Sequence, residues 1–305
     1  MIQMRQYERS VEDRYWECVN KEIDLSVQQE ILRSSKNFMP SDFFSDNPDF
    51  RELVLAPYAK LKKAYTYIEK NVDNMWAECF VQNSKKKWDR KPLYAVLYDS
   101  YNKISQNTDG GVKMNVFLVQ NTGLTVCPYC NRDYINSRSE ELAGAQLDHF
   151  YPRSKYPVFS VCLYNLIPSC WNCNRIKQDK MQKFASPFDE EVDWENSVRF
   201  TYIPLDVERK KIVIDSIQPV RNNIKTMQIE TAYQIHEMEV NELLDKVQMY
   251  QETQLEEFNK VLGEVGLTEQ DMKTMVFGPE ITEENMRKKP LGKMLRDLER
   301  ELGIY

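Results

Sequence analysis

The sequence predicts an α+β fold, in which a mostly helical chain encloses a short strand-containing segment and a small additional β-hairpin. Apolar residues recur at three- and four-residue steps in both outer parts of the chain, which is typical of helices with one buried face. The middle part is rich in Cys, Asn, Pro and aromatic residues and has no long periodic run. Two apolar runs, 198–203 and 211–217, flank a polar segment and predict the hairpin.

These differences in periodicity and composition divide the chain into three regions. The first, 1–120, is predicted to be helical. It contains a helix with an apolar face just after Pro57 and a second helix that begins at Pro92. Proline is tolerated at the start of a helix. The second, 121–186, holds the strand-containing segment, and the third, 187–305, holds the hairpin and a helical C-terminal part. The helical spacing of the third region is carried by Ile224, Met227, Leu244, Val247, Leu255, Phe258 and Leu262, with Gly263 as its predicted stop.

Composition limits the classes of protein that this chain can belong to. With 305 residues, 42% hydrophobic and 29% charged, it can bury a core and does not have the composition of a disordered protein. Its net charge of −6 excludes a wholly basic nucleic-acid binder but not a local basic patch. The polar start and the lack of an eighteen-residue apolar run predict neither a secretory signal nor a membrane span, so we expect a cytoplasmic protein.

Seven cysteines include two pairs with CxxC spacing, Cys127 with Cys130 and Cys170 with Cys173. In a reducing compartment, paired CxxC motifs favour metal binding over disulfides. Zinc takes four tetrahedral ligands, and four thiolates leave no open position, so the motif predicts a structural zinc site. We expect the second pair to open a helix over 169–183. The alternative is four unrelated buried cysteines. The remaining three behave as small apolar residues: Cys18, Cys79 and Cys162.

Polar residues suited to phosphodiester chemistry lie between and just after the two pairs. Asp148 and His149 are adjacent, Asn165 follows them, and Asn174 directly follows the last cysteine. A lone histidine is more often structural than catalytic. His149 is a catalytic candidate only because these polar residues lie near it in the sequence. Since histidine has an unperturbed pKa of about 6.5, it can accept a proton from water near neutrality. Carboxylate and amide oxygens suit a hard divalent cation.

The segment 124–183 resembles the HNH, or ββα-metal, nuclease family, over about a fifth of the chain. The resemblance rests on CxxC, Asp-His-x-x-Pro-x-Ser, Asn-Leu, CxxC-Asn and a following Lys. It implies an embedded ββα-metal core, with His149 as general base and with Asp148 and Asn174 as ligands of a catalytic Mg²⁺ or Mn²⁺. Asn165 would brace the loop and orient the histidine. Asn174 stands where the family's name-giving pattern has histidine, which makes this the HNN variant.

The local charge of the same segment favours a polyanionic substrate. Between His149 and Phe184 there are six cations and one acid, a net charge of +5, so the rest of the chain carries −11. The candidate nucleic-acid contacts, each of which could instead be a solvated surface residue, are Arg153, Lys155, Arg175 and Lys177. Basic residues at 85–91 and 287–296 could extend this surface or be solvated faces.

The resemblance implies an endonuclease that hydrolyses double-stranded DNA and leaves a 3′-hydroxyl. The predicted arrangement, a small ββα core between two helical regions, also resembles bacterial anti-phage nucleases that work beside an ATPase. This resemblance suggests an ATPase partner. Because one active site cuts one strand, a double-strand break requires a homo-oligomer or two events. Two alternatives remain open at this point. One is an RNA-cleaving nuclease with the same site, and the other is a zinc-stapled interaction module whose nuclease site is inactive.

Overall fold

Helices predominate in the computed structural model, which describes residues 1–108, 110–180, 183–250 and 268–305. This confirms the predicted α+β class. The α-helices are α1 (Arg9–Glu22), α2 (Leu25–Ser35), α3 (Phe50–Val54), α4 (Tyr58–Lys70), α5 (Val72–Cys79), α6 (Pro92–Gln106), α7 (Met114–Gln120), α8 (Trp171–Lys177), α9 (Val220–Thr226), α10 (Ile229–Tyr233), α11 (Glu237–Met249), α12 (Glu269–Phe277), α13 (Glu283–Met286) and α14 (Gly292–Glu301). The strands are β1 (Phe80–Gln82), β2 (Trp88–Arg90), β3 (Gln146–His149), β4 (Leu166–Ser169), β5 (Val198–Pro204) and β6 (Lys210–Ser216).

In the N-terminal region, both prolines stand where helices begin. Pro57 immediately precedes α4, and Pro92 is the first residue of α6, where its missing N–H costs no helical hydrogen bond. The apolar helical face predicted after Pro57 is shared by α4 and α5, because the chain leaves helical geometry at Asn71.

This helical region supports the long connection between β3 and β4. The Tyr15 hydroxyl of α1 donates to the carbonyl of Val161 at 3.0 Å. The ring of Tyr65 on α4 stacks on Tyr151 with centroids 4.4 Å apart. Contacts of this kind bury a connection that has little regular structure, and they hold in place the end of β3 that carries His149.

The strands β3 and β4 pair antiparallel, from Gln146 opposite Ser169 to His149 opposite Leu166, and α8 follows directly. We call β3, β4 and α8 the ββα unit. Cys170 is the N-cap of α8, and its sulfur accepts a hydrogen bond from the Cys173 N–H. The helix is shorter than the predicted 169–183. It ends at Lys177, because Gln178 takes a backbone φ of 46°, which no α-helix can continue.

Two further hairpins lie in the described part of the chain. The pair β5–β6 confirms the predicted hairpin, with strand ends within one residue of the predicted ones. The pair β1–β2 was not predicted, because its three-residue strands flank a segment that reads as a basic turn. In the C-terminal region, α14 docks on β5, where the Phe200 N–H donates to Asp297 at 2.9 Å.

The helical pattern of the third region is only partly covered by the structure. Ile224, Met227, Leu244 and Val247 lie on α9, next to its end, and on α11. The residues Leu255, Phe258, Leu262 and Gly263 lie outside the described residues. Among the helices that are described, none has both the length and the apolar character needed to cross a membrane.

Candidate active site and metal centre

Four cysteines from the two CxxC pairs meet in one buried cluster: Cys127, Cys130, Cys170 and Cys173. We call it the four-cysteine cluster. All four sulfurs lie within 4.8 Å of one another, and the sulfurs of Cys130 and Cys170 are 4.0 Å apart. A tetrahedral zinc with Zn–S bonds of about 2.3 Å requires sulfurs about 3.8 Å apart. The cluster can therefore hold a metal ion such as zinc with little adjustment.

The thiols of this cluster perturb one another strongly. Hydrogen bonds from the other three thiols hold the pKa of Cys130 well below its usual range. The pKa of Cys170 and that of Cys173 are raised, first because both thiols donate to Cys127 and Cys130. Four thiolates cannot be crowded into this space without a positive charge between them, and a divalent cation supplies that charge.

The first CxxC turn is anchored to the C-terminal region. Asn131, which has a φ of 53°, donates from its side chain to the carbonyl of Met286 at 3.0 Å and accepts from the Lys293 N–H at 2.8 Å. The Tyr233 hydroxyl donates to the carbonyl of Cys130 at 2.7 Å. The cluster thus joins the ββα unit to residues that lie more than a hundred positions after the first CxxC motif.

Asp148 on β3 is buried and fully engaged by protein groups. The ammonium of Lys177 lies 2.9 Å from its Oδ2 and 3.1 Å from its Oδ1, and the Tyr129 hydroxyl donates to Oδ2 at 2.8 Å. Lys177 has no exposed surface, and it also donates to the carbonyl of His149 at 3.0 Å. Among the described residues, the cation that pairs with the Asp148 carboxylate is therefore Lys177.

His149 ends β3, and its ring is held by a backbone carbonyl and an aromatic side chain. Its Nε2 lies 2.9 Å from the carbonyl oxygen of Ser160, and the edge-on ring of Tyr101 has its centroid 4.4 Å away. A carbonyl can only accept, so Nε2 carries the hydrogen and Nδ1 keeps the lone pair. Burial, with smaller effects from the charges of Arg153 and Lys177, lowers the pKa of His149 to about 3.

Asn165 is buried where the β3–β4 connection returns to β4. Its Oδ1 accepts from the Tyr151 N–H at 2.7 Å, and its Nδ2 donates to the carbonyls of Tyr151 and Phe159 at 3.0 and 3.1 Å. The backbone of Asn165 also accepts from the Phe150 N–H, next to the histidine. These three side-chain hydrogen bonds go to the backbone of the β3–β4 connection, which Asn165 thereby braces.

Replacing Asn165 by alanine is expected to destabilise the protein by about 3 kcal/mol, because three buried backbone groups lose their partner. The measurement is urea denaturation followed by circular dichroism. Asn172→Ala, an exposed asparagine on α8, is the matched control and should change the free energy of unfolding by less than about 0.5 kcal/mol. Equal stability of the two variants would contradict the bracing role.

Asn174 lies on the face of α8 that packs against β3. Its amide nitrogen donates to Oε1 of Gln146 at 2.7 Å, one helical turn before the contact of Lys177 with Asp148. Gln146 and Asp148 are two residues apart on one strand and so share a face. The helix therefore meets β3 through two polar side chains, Asn174 on Gln146 and Lys177 on both the Asp148 carboxylate and the carbonyl of His149.

The four cations predicted to contact nucleic acid have different surroundings. Arg153 stacks over Tyr98 and donates to the carbonyl of that tyrosine at 2.9 Å. The ammonium of Lys155 donates to the backbone carbonyl of Asp179, and exposed Arg175 lies over the ring of Trp171. Arg153, Lys155 and Arg175 thus leave cationic surface accessible to solvent. The structure places Lys177 inside the unit as the partner of Asp148, where it offers no surface to a phosphate.

Four groups that the sequence did not single out shape this site: Gln146, Tyr129, Tyr101 and the carbonyl of Ser160. Strand alternation could have found Gln146, because it lies two residues before Asp148 on the same face. Tyr129 lies within the first CxxC motif, but no sequence rule connects it with Asp148. Tyr101 and Ser160 reach His149 only through the tertiary fold.

Comparison of the chain with protein-family models, with curated proteins and with solved structures gives no match. The resemblance to HNH nucleases is thus carried by the motif alone.

Proposed function

We propose that this protein is a metal-dependent HNH endonuclease that hydrolyses DNA phosphodiester bonds. The observation that carries the proposal is the ββα unit. In it, an antiparallel strand pair followed by a helix brings Asp148, His149 and Asn174 into one small unit beside the four-cysteine cluster. We propose that this cluster binds a structural zinc, which holds the start of α8 against the first CxxC turn.

In the proposed reaction, His149 acts as the general base. Its Nδ1 takes a proton from water, and the water oxygen attacks phosphorus. The bond from phosphorus to the 3′-oxygen then breaks, and that oxygen takes up a proton to leave a 3′-hydroxyl. The hydrogen bond from Nε2 to Ser160 supports this role, because it orients the ring and keeps the Nδ1 lone pair free.

The catalytic cation is part of the same proposal. The oxygens of Asp148 and Asn174, with Gln146 beside them, have the donor chemistry that Mg²⁺ or Mn²⁺ prefers. Such a cation supplies charge relief on the phosphoryl and leaving oxygens. Lys177 holds the Asp148 carboxylate in this structure, so a divalent cation at Asp148 has to compete with that ammonium.

The test is plasmid cleavage with Mg²⁺ or Mn²⁺ present. His149→Ala should slow cleavage by about 10²–10⁴-fold, because no other described imidazole lies in the unit. The fold and the zinc content should not change. His236→Ala is the matched control, because it removes the chain's other histidine and should leave cleavage intact. Cleavage by His149→Ala at the parental rate would rule out the assignment. A structured RNA assayed alongside separates a DNA nuclease from an RNA nuclease.

The biological setting that we propose is bacterial defence against phage, in the cytoplasm and beside an ATPase partner. Support comes from the similarity of the layout to anti-phage nucleases and from the cysteines, which are all free and buried, as expected in a reducing compartment. Pairing of two subunits would allow both strands to be cut. Copurification with an ATPase encoded nearby, followed by plasmid cleavage with and without nucleotide, tests this setting.

A further inference from the structure

The hairpin β1–β2 carries an ordered basic tip. Lys85, Lys86 and Lys87 are all exposed between the two strands. The side-chain oxygen of Asn83 accepts from the Lys85 and Lys87 N–H groups at 2.9 and 3.0 Å, which fixes the turn. Trp88, 55% exposed, stands beside these lysines on β2. The tip therefore presents three cations and an aromatic ring to solvent from a defined backbone.

The cations of this hairpin lack acidic partners, unlike those near the C-terminus. Within the part of the chain that the structure describes, no carboxylate forms an ion pair with Lys85, Lys86, Lys87, Arg90 or Arg153. We call these five residues the basic surface. The acid of the hairpin itself, Asp89, accepts a hydrogen bond from the Asn83 side chain. In the C-terminal cluster at 287–296, four of the five cations pair with acids, namely Arg287 with Glu283, Lys288 with Glu284, Lys293 with Asp297 and Arg296 with Glu195.

The basic surface is linked to His149, the proposed general base, through two tyrosine rings of α6. The guanidinium carbons of Arg90 and Arg153 lie 3.6 and 4.1 Å from the centre of the Tyr98 ring, so one tyrosine of α6 connects the hairpin with the β3–β4 connection. Arg153 also lies 4.8 Å from the ring of Tyr101, which in turn packs against His149 at 4.4 Å. The Nε of Arg90 is buried and has no hydrogen-bond partner in the described part of the chain.

We propose that the basic surface is a docking site for the phosphate backbone of double-stranded DNA. The docked backbone runs from the β1–β2 tip to His149. Unpaired cations next to an exposed aromatic ring match the charge and the sugar surface of a duplex. Because the chain as a whole carries a net charge of −6, a local group of unpaired cations favours the approach of DNA at this face. The inference rests on the proposed nuclease function, because it takes His149 as the point of cleavage.

The experiment compares two variants that each lose three positive charges. The hairpin variant is Lys85→Gln, Lys86→Asn and Lys87→Gln. Asparagine is chosen at position 86 because the backbone φ there is 58°, which asparagine tolerates. The control variant is Lys211→Gln, Lys288→Gln and Lys289→Gln, at exposed positions on β6 and after α13. Binding to a short fluorescent DNA duplex is measured by anisotropy without Mg²⁺ or Mn²⁺, over a series of salt concentrations.

For the hairpin variant we expect affinity to fall at least about tenfold near physiological salt. The slope of log affinity against log salt should drop by about 2–3, since each lost phosphate contact accounts for about 0.9. The control variant should bind within about twofold of the parent with an unchanged slope. An unchanged slope for the hairpin variant, or an equal loss in both variants, overturns the proposal. So does a hairpin variant that loses RNA binding while its affinity for duplex DNA stays the same.

Failure of this inference is distinguishable from failure of the proposed function. If the chain binds duplex DNA through the hairpin but never cuts it with Mg²⁺ or Mn²⁺, the docking site stands and the nuclease assignment fails. If the hairpin variant binds and cuts DNA like the parent, while His149→Ala does not cut, the nuclease assignment stands and the docking site fails.

Discussion

Removal of zinc from the four-cysteine cluster is expected to lower the midpoint of thermal unfolding by on the order of 10 °C or more. Structural zinc sites contribute about 10–16 kcal/mol in small peptides. Even a loss of a few kcal/mol moves the midpoint of a chain this size by several degrees. Here the cluster joins the ββα unit to the C-terminal region through Asn131 and Tyr233, so both parts should loosen together.

Matched cysteine variants make this prediction specific. Elemental analysis should find close to one zinc per chain in the parent and a loss of zinc in Cys170→Ser. Cys162→Ser is the control, because Cys162 is equally buried but lies outside the cluster, with its sulfur 3.2 Å from the carbonyl of Leu53. It should keep its zinc. Full zinc content in Cys170→Ser, or an unchanged midpoint after chelation, would contradict a structural zinc site.

Substitution of Lys177 is expected to destabilise the protein by about 3–5 kcal/mol and to make its stability depend on Mg²⁺. Lys177→Met leaves the buried carboxylate of Asp148 with the Tyr129 hydroxyl alone, and an unpaired buried charge is costly. If Asp148 is a ligand of the catalytic cation, millimolar Mg²⁺ should then restore part of the lost stability. The measurement is thermal unfolding of parent and variant with and without Mg²⁺.

The double variant Asp148→Asn, Lys177→Met is the control for charge. It removes both members of the pair, so it should be more stable than Lys177→Met alone and should not respond to Mg²⁺. A Lys177→Met chain that is as stable as the parent would show that the pair contributes little. Strong destabilisation without any response to Mg²⁺ would argue against Asp148 as a cation ligand.

Several parts of the fold and of the candidate site were accessible from sequence because their signals are local. The two CxxC spacings predicted the buried four-cysteine cluster, and the alternating runs predicted β5–β6. Pro57 and Pro92 marked the starts of two helices. The hairpin β1–β2 was missed, because three-residue strands are too short to show a period of two. The end of α8 was missed, because its stop is a non-glycine residue, Gln178, in a left-handed conformation.

The sequence by itself determined which chemistry is available: four thiols in two CxxC pairs, one histidine beside an aspartate, two asparagines and a local excess of positive charge. Only the tertiary structure decided how these groups are partnered. It placed Lys177 on Asp148 rather than at the surface, turned His149 onto the carbonyl of Ser160, and left the hairpin lysines unpaired while acids paired with four of the five C-terminal cations. The physical reason is that ion pairs and hydrogen bonds depend on distances in space, and those distances arise only when segments far apart in sequence pack together.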